Sequence, residues 1–157
     1  MIAYDDNWER WCKASILKHF DAGKGDTSVF VEGFTLDTNE LSDYLEVRVD
    51  GPYTREQVKE QWRLYFEVNI LVVVKINPSA DAYRINRLTG RATGLFIDGI
   101  CVYKYGNGPD DDGSLIGHLS LVPRANERIQ VSHFGKIRPD TEILQASVEG
   151  HYHIYFD

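Results

Sequence analysis

Trp62-Arg63-Leu64-Tyr65-Phe66-Glu67-Val68-Asn69-Ile70-Leu71-Val72-Val73-Val74-Lys75-Ile76 is the stretch that decides the fold. Trp62, Leu64, Phe66, Val68, Ile70, Val72, Val74 and Ile76 fall on one side of a period-two pattern. Arg63, Tyr65, Glu67, Asn69, Leu71, Val73 and Lys75 fall on the other. Alternation of this kind marks a strand with one face packed and one face open. Strands usually run about 5–6 residues, and at ~3.3 Å per residue this one would reach roughly 50 Å. A small domain needs less than that for its own core, so part of the strand is expected to serve a neighbouring chain.

Working outward, the flanking segments repeat the theme. Tyr44-Leu45-Glu46-Val47-Arg48-Val49-Asp50 alternates cleanly and is expected to end at Gly51-Pro52. The charged segment from Tyr53 to Gln61 reads as a loop or a helical turn. Near the C-terminus, Leu144, Ala146, Val148, Gly150, Tyr152, Ile154 and Phe156 form one face of a run from Ile143 to Phe156. Gln145, Ser147, Glu149, His151, His153 and Tyr155 form its other face. Shorter strands are predicted at Ser28 to Phe34, Ile100 to Tyr105, Leu115 to Leu121 and Arg128 to Phe134.

Two segments have helical periodicity. Trp8, Trp11, Cys12, Ile16 and Phe20 make one stripe, with Asp5, Asp6 and Asn7 offering N-cap oxygens and Ala22-Gly23-Lys24-Gly25 ending the helix. Ile85, Leu88, Ala92, Leu95 and Phe96 make a second stripe after the helix start at Asn77-Pro78-Ser79, weakened by Gly90 and Gly94. The sum is an α+β fold: a mainly antiparallel sheet with long strands, packed by an N-terminal helix and a second mid-chain helix. One domain spanning residues 1–157 is expected, there being no repeat, linker or low-complexity tract.

Charge and composition narrow the function classes. A net charge of −7 opposes tight binding to a phosphate backbone, which relies on clustered Lys and Arg. No apolar run is long enough for a membrane helix, the strongest being Ile70 to Val74, and Met1 to Trp8 lacks a basic-then-apolar leader pattern. Cys12 and Cys101 form no CxxC pair and read as two buried thiols in a reducing compartment.

Three constellations bear on chemistry. Glu149, His151 and His153 share one strand face at two-residue spacing, and His at i and i+2 can hold a metal if a third ligand arrives, with His118 and His133 as additional candidates. The competing reading, a polar face solvated or covered by another subunit, is favoured because no second element carries metal-ligand spacing. Asp110-Asp111-Asp112-Gly113-Ser114 lacks the alternating acids and the distant Glu of a calcium loop and reads as a hairpin tip. Gly23-Lys24-Gly25-Asp26-Thr27-Ser28 follows a helix where a phosphate-binding loop would open one, and reads as a connector. Without a G-x-S-x-G elbow or a recognisable cysteine context, no enzyme is indicated and no cofactor is expected.

The layout resembles the tail-terminator and neck-completion proteins of long-tailed bacteriophages. The resemblance rests on the helix from Trp8 to Phe20, the strand ending at Val49-Asp50-Gly51-Pro52, the Trp62 to Ile76 strand and the helix from Ala80 to Phe96. Gly135-Lys136-Ile137-Arg138-Pro139-Asp140, leading into Gln145-Ala146-Ser147-Val148-Glu149-Gly150-His151-Tyr152, completes it. It covers nearly the whole chain as an order of elements and carries no single motif. It implies a structural virion protein made in the host cytoplasm: a homo-hexameric ring in the neck that caps the tail tube and joins it to the head. Its partners would be further copies of itself, the tail tube protein and a head-completion or connector protein, with DNA passing through without tight binding and no membrane involved. On this reading Asp110, Asp111, Asp112, Glu149, His151 and His153 are candidates for a lumen or intersubunit surface. Two alternatives stay open: a head-to-tail adaptor or minor capsid protein of the same virion, and a small metal-dependent hydrolase or ligand-binding domain using Glu149, His151 and His153.

Overall fold

The computed structural model describes residues 6–23, 25, 27–31, 43–56, 62–75, 83–97, 99–122, 129–136 and 143–156. Its elements in chain order are α1 (Trp8–Ala22), β1 (Ser28–Val31), β2 (Asp43–Glu56), β3 (Trp62–Lys75), α2 (Arg84–Ile97), β4 (Ile100–Tyr103), β5 (Leu115–Leu121), β6 (Ile129–Lys136) and β7 (Ile143–Phe156). The fold is α+β, with the two helices against a mostly antiparallel sheet.

The centre of that sheet is the pairing of β3 with β7, unbroken from Trp62 opposite Phe156 to Lys75 opposite Ile143. β2 lies along the other edge of β3, and the path across the sheet runs β1-β2-β3-β7-β5-β4. β7 shares its second edge between two partners: β6 pairs with its N-terminal part, and Ser120 and Leu121 of β5 pair with His153 and Tyr152. Among the described strands, only β1 with β2 is parallel.

Alternation along the strands does the sorting. Leu45, Val47 and Val49 of β2, Leu64, Phe66, Val68, Ile70, Val72 and Val74 of β3, and Ala146, Val148, Tyr152 and Ile154 of β7 are all buried. α1 adds Trp8, Trp11, Cys12, Ile16 and Phe20 to this core, and α2 adds Ile85, Leu88, Ala92 and Phe96. An aromatic side chain buries about 150–250 Å², which at about 25 cal/mol per Å² is roughly 4–6 kcal/mol before the entropy of ordering it. Gly90 and Gly94 fall on the solvent side of α2, where no neighbour lies within 4 Å, so they leave the packed stripe intact.

The end of α2 is held by other elements. The last carbonyls of a helix have no partner within it. Here Tyr152 of β7 donates its hydroxyl to the Phe96 carbonyl at 3.0 Å, and His19 of α1 donates Nε2–H to the Leu95 carbonyl at 2.8 Å. The Phe96 ring stacks on Tyr152 (centroids 6.0 Å apart) and leans on Phe20 (5.0 Å). It occupies the space above Gly150, where a Cβ would come within 2.5 Å of the ring. At the other end of α2, Arg84 pairs with the buried Asp43 at the start of β2.

Several boundaries differ from expectation. β2 continues through Gly51-Pro52 to Glu56, so Tyr53 to Glu56 is strand and not loop. The ladder absorbs the break as a bulge between Asp50 and Tyr53. Gly51 sits there at φ 109°, a conformation that favours glycine, with the Tyr65 carbonyl 2.7 Å from where a Cβ would stand. β6 likewise runs on to Lys136 across a bulge between His133 and Gly135. Asn7 occupies the N-cap of α1 without a side-chain cap, because its Oδ1 accepts from Arg10 Nη2 at 2.9 Å. The helix start at Asn77-Pro78-Ser79 and the strand residues beyond Val31 lie outside the described residues.

Removing the Tyr152 hydroxyl (Tyr152→Phe) leaves a buried carbonyl unpaired and is expected to cost about 1–3 kcal/mol. Gly150→Val forces the Phe96 ring to move and is expected to cost at least about 1–3 kcal/mol. Urea unfolding of each variant against the parent chain measures both.

Candidate functional site

Odd-numbered positions of β3 and β7 point away from the helices. From Arg63 to Asn69 on β3 and from Ser147 to His153 on β7 they build a polar face, whereas farther along β3 the same side turns apolar, with Leu71 half-buried and Val73 buried. Antiparallel register lines them up in rows. Glu67 lies opposite His151, with Asp50 of β2 on its other side, and Asn69 lies opposite Glu149, between Arg48 and Gln130. Tyr65 lies opposite His153, between Tyr53 and Ser120. Glu67, Glu149, His151 and His153 are each half-buried.

The first two rows bring Glu67, Glu149 and His151 together, with one donor atom from each within 4.8 Å of the others. His151 Nε2 is 3.0 Å from Glu149 Oε1. His153 belongs to the next row and is not part of this group. Its ring meets Tyr65 edge-on at 6.2 Å, and Arg63 reaches the Tyr65 hydroxyl. Burial, with the Arg63 charge adding to it, holds the His153 pKa below its ordinary value and favours the neutral ring. Of the other candidates, exposed His133 stands opposite Ala146, on the helix side of the sheet. Exposed His118 pairs across to Cys101 of β4. Neither joins the cluster.

The acidic loop is organised differently from a free hairpin tip. The Asp111 side chain is only 2% exposed. Arg10 of α1 donates to both its oxygens, at 2.8 and 2.9 Å, Trp11 donates Nε1–H at 2.7 Å and the Gly108 amide donates at 2.8 Å. Trp11 therefore puts its ring in the core and spends its one polar atom on the loop. These donors, Arg10 foremost, hold the Asp111 carboxyl well below the usual carboxylate range. Asp112 accepts from the amide and hydroxyl of Ser114, which lowers its pKa too. Asp110 and Asp112 remain exposed. The loop is thus bound to the α1 side of the sheet, whereas Glu149, His151 and His153 lie on the open face, and Asp111 is withdrawn from any surface the six residues were expected to share.

Sequence reasoning missed Glu67, Arg10 and Trp11. Alternation had already placed Glu67 on the polar face; what it lacked was the register that sets Glu67 across from His151. The expectation for the cysteines holds for one of them. Cys12 is fully buried, and burial, with Glu9 nearby, pushes its thiol up to about 12. Cys101 is exposed. It opens onto a groove of about 580 Å³ between α1 and β4, also lined by Lys18, His19 and Tyr103. At that same edge Ser15 Oγ accepts the Tyr103 amide at 3.0 Å, so α1 covers part of β4's outer side.

No family model matches this chain, and no curated protein matches it. Seventeen solved chains do. One, from a protein whose name describes no activity, is similar over 95% of this chain and 96% of its own length, with a TM-score of 0.54 at 14% identity. At that identity the likeness concerns the fold alone. Among the described residues, no helix is long and apolar enough to cross a membrane.

Two outcomes follow for the site. The stability that Asp111 contributes is full at neutral pH. It begins to fall as the pH drops through the ordinary carboxylate range, about 4, and is gone below the depressed native pKa. Asp111→Asn should therefore lower stability at pH 7 and flatten the acid limb of the unfolding profile. With a thiol reagent under native conditions, one cysteine per chain should react promptly and Cys101→Ser should abolish that signal, while Cys12 reacts only on unfolding.

Proposed function

We propose that this chain is a structural subunit of a tailed bacteriophage, the tail terminator of the neck, which forms a ring that caps the tail tube and joins it to the head. The observation that carries this reading is an uncommitted sheet edge. β6 pairs with β7 on one side and, among the described residues, with no strand on the other. That edge strand carries Val131 at 41% and Phe134 at 59% exposure. Open edges with apolar side chains invite pairing with another chain, and the head-to-tail interface of a ring is one place where such an edge is covered.

Further support comes from the architecture. The observed order of a leading helix, long strands, a mid-chain helix and terminal strands is the order on which the resemblance to tail terminators rests. Both helices pack on one face of the sheet, which leaves the polar face to meet solvent, a lumen or a neighbour. A net charge of −7 suits a conduit whose wall repels DNA. The tail tube protein and a head-completion or connector protein are the partners this role requires.

The test is the mass of the purified protein by light scattering, with negative-stain images of the same sample. Rings of six 18.0 kDa chains are expected. Phe134→Asp, alone or with Val131→Asp, should reduce them to single chains without changing the helix and strand signal in circular dichroism. Single chains at every concentration, both alone and mixed with isolated tail tubes, would overturn the reading. A ring of a different order would favour the head-to-tail adaptor role.

A further inference from the structure

We propose that Glu67, Glu149 and His151 form a binding site for a first-row divalent transition-metal ion of the Zn²⁺ type on the open face of the sheet. The site is independent of whether the chain assembles into rings. Its ligand set also differs from the sequence expectation, since Glu67 replaces His153.

Register provides the first argument. Glu67 and His151 are direct cross-strand partners, and Glu149 is two residues from His151 on the same face. Directly opposed residues hold their Cβ atoms about 4.5–5.5 Å apart, which suits side chains closing on a common point between the strands. The donor atoms already lie within 4.8 Å of one another. An ion about 2.0–2.2 Å from each donor needs them about 3–4 Å apart, a distance reached by small side-chain rotations without moving the backbone. The platform is rigid, because β3 is flanked on both sides by ladders running nearly its full length.

Charge provides the second. Asp50, directly opposite Glu67, brings a third carboxylate to the same patch. Arg48, the cation on the neighbouring row, directs its guanidinium to Glu46, with Nε and Nη2 each 3.0 Å from Oε1. Two half-buried carboxylates held this close repel each other, and a bound cation relieves that repulsion.

The donor chemistry selects the ion. One imidazole nitrogen with two carboxylates suits Zn²⁺, Co²⁺ or Mn²⁺, whereas Ca²⁺ prefers six to eight oxygens and Mg²⁺ keeps most of its water. Three protein ligands leave at least one position of a four-coordinate ion for water.

The experiment uses the full chain stripped of metal with a chelator and then dialysed. Zn²⁺ is titrated by calorimetry, and Co²⁺ by the visible absorption that it gains in a site of low coordination number. One ion per chain is expected, with Mg²⁺ and Ca²⁺ failing to compete. Glu67→Gln and His151→Ala should each weaken Zn²⁺ binding by at least about 100-fold, the upper end of what substitutions outside the ligand shell cause. His153→Ala should leave it unchanged. Circular dichroism and melting of each metal-free variant confirm that the fold is kept, and Glu67→Gln preserves shape if His151→Ala does not fold. Absence of binding to the parent chain at millimolar Zn²⁺ would overturn the proposal. So would binding that survives Glu67→Gln, or that depends on His153 as strongly as on His151.

Discussion

A strand displays its side chains alternately to two sides, and two strands locked in register must agree on which side is which. Fourteen consecutive pairs join β3 to β7, so one phase choice is imposed over the whole length of both. A slip of one residue would drive Arg63, Glu67 and Asn69 into the core and expose Phe66, Val68 and Ile70 together. The helical layer, the burial of the aromatic residues and the polar open face all follow from that single alignment. β2 accepts the same phase on the far side of β3 and keeps its contact beyond Asp50 through the Gly51 bulge.

The helices complete this arrangement by satisfying groups the sheet cannot. α2 ends over the middle of β7, where Gly150 leaves room for Phe96 and where Tyr152 and His19 answer its last carbonyls. α1 does more than cover apolar surface. Its Ser15 meets a backbone amide at the edge of β4, and Arg10 and Trp11 grip Asp111 in the following loop. The N-terminal helix therefore ties the β4–β5 hairpin into the rest of the domain through polar contacts at two points.

Much of this fold was legible in the sequence because alternation and helical stripes are local signals. The span of β7, the buried stripe of α1 and the packed face of β3 are each read within a few residues of their own position. Gly51-Pro52 misled because a glycine-proline pair usually marks a turn, whereas here the ladder on β3 is strong enough to carry β2 past it as a bulge. The candidate site was legible only in half. Glu149 and His151 sit on one strand, but Glu67 joins them through a register set some 80 positions away in the chain, and no local pattern encodes that. The burial of Asp111 was invisible for the same reason, since its partners Arg10 and Trp11 lie about a hundred residues earlier.

The divided edge of β7 bears on how the molecule would carry mechanical load. Hydrogen bonds in an antiparallel ladder lie across the strands. Tension directed along β7 would therefore load its rungs to β3 in shear, all of them sharing the pull, while β5 and β6 brace different lengths of the same strand from the opposite side. A force peeling β6 outward, from the edge where no other described strand pairs with it, would instead break its rungs one after another. The domain is thus stiff along one direction and weak along another, with β7 as its tendon.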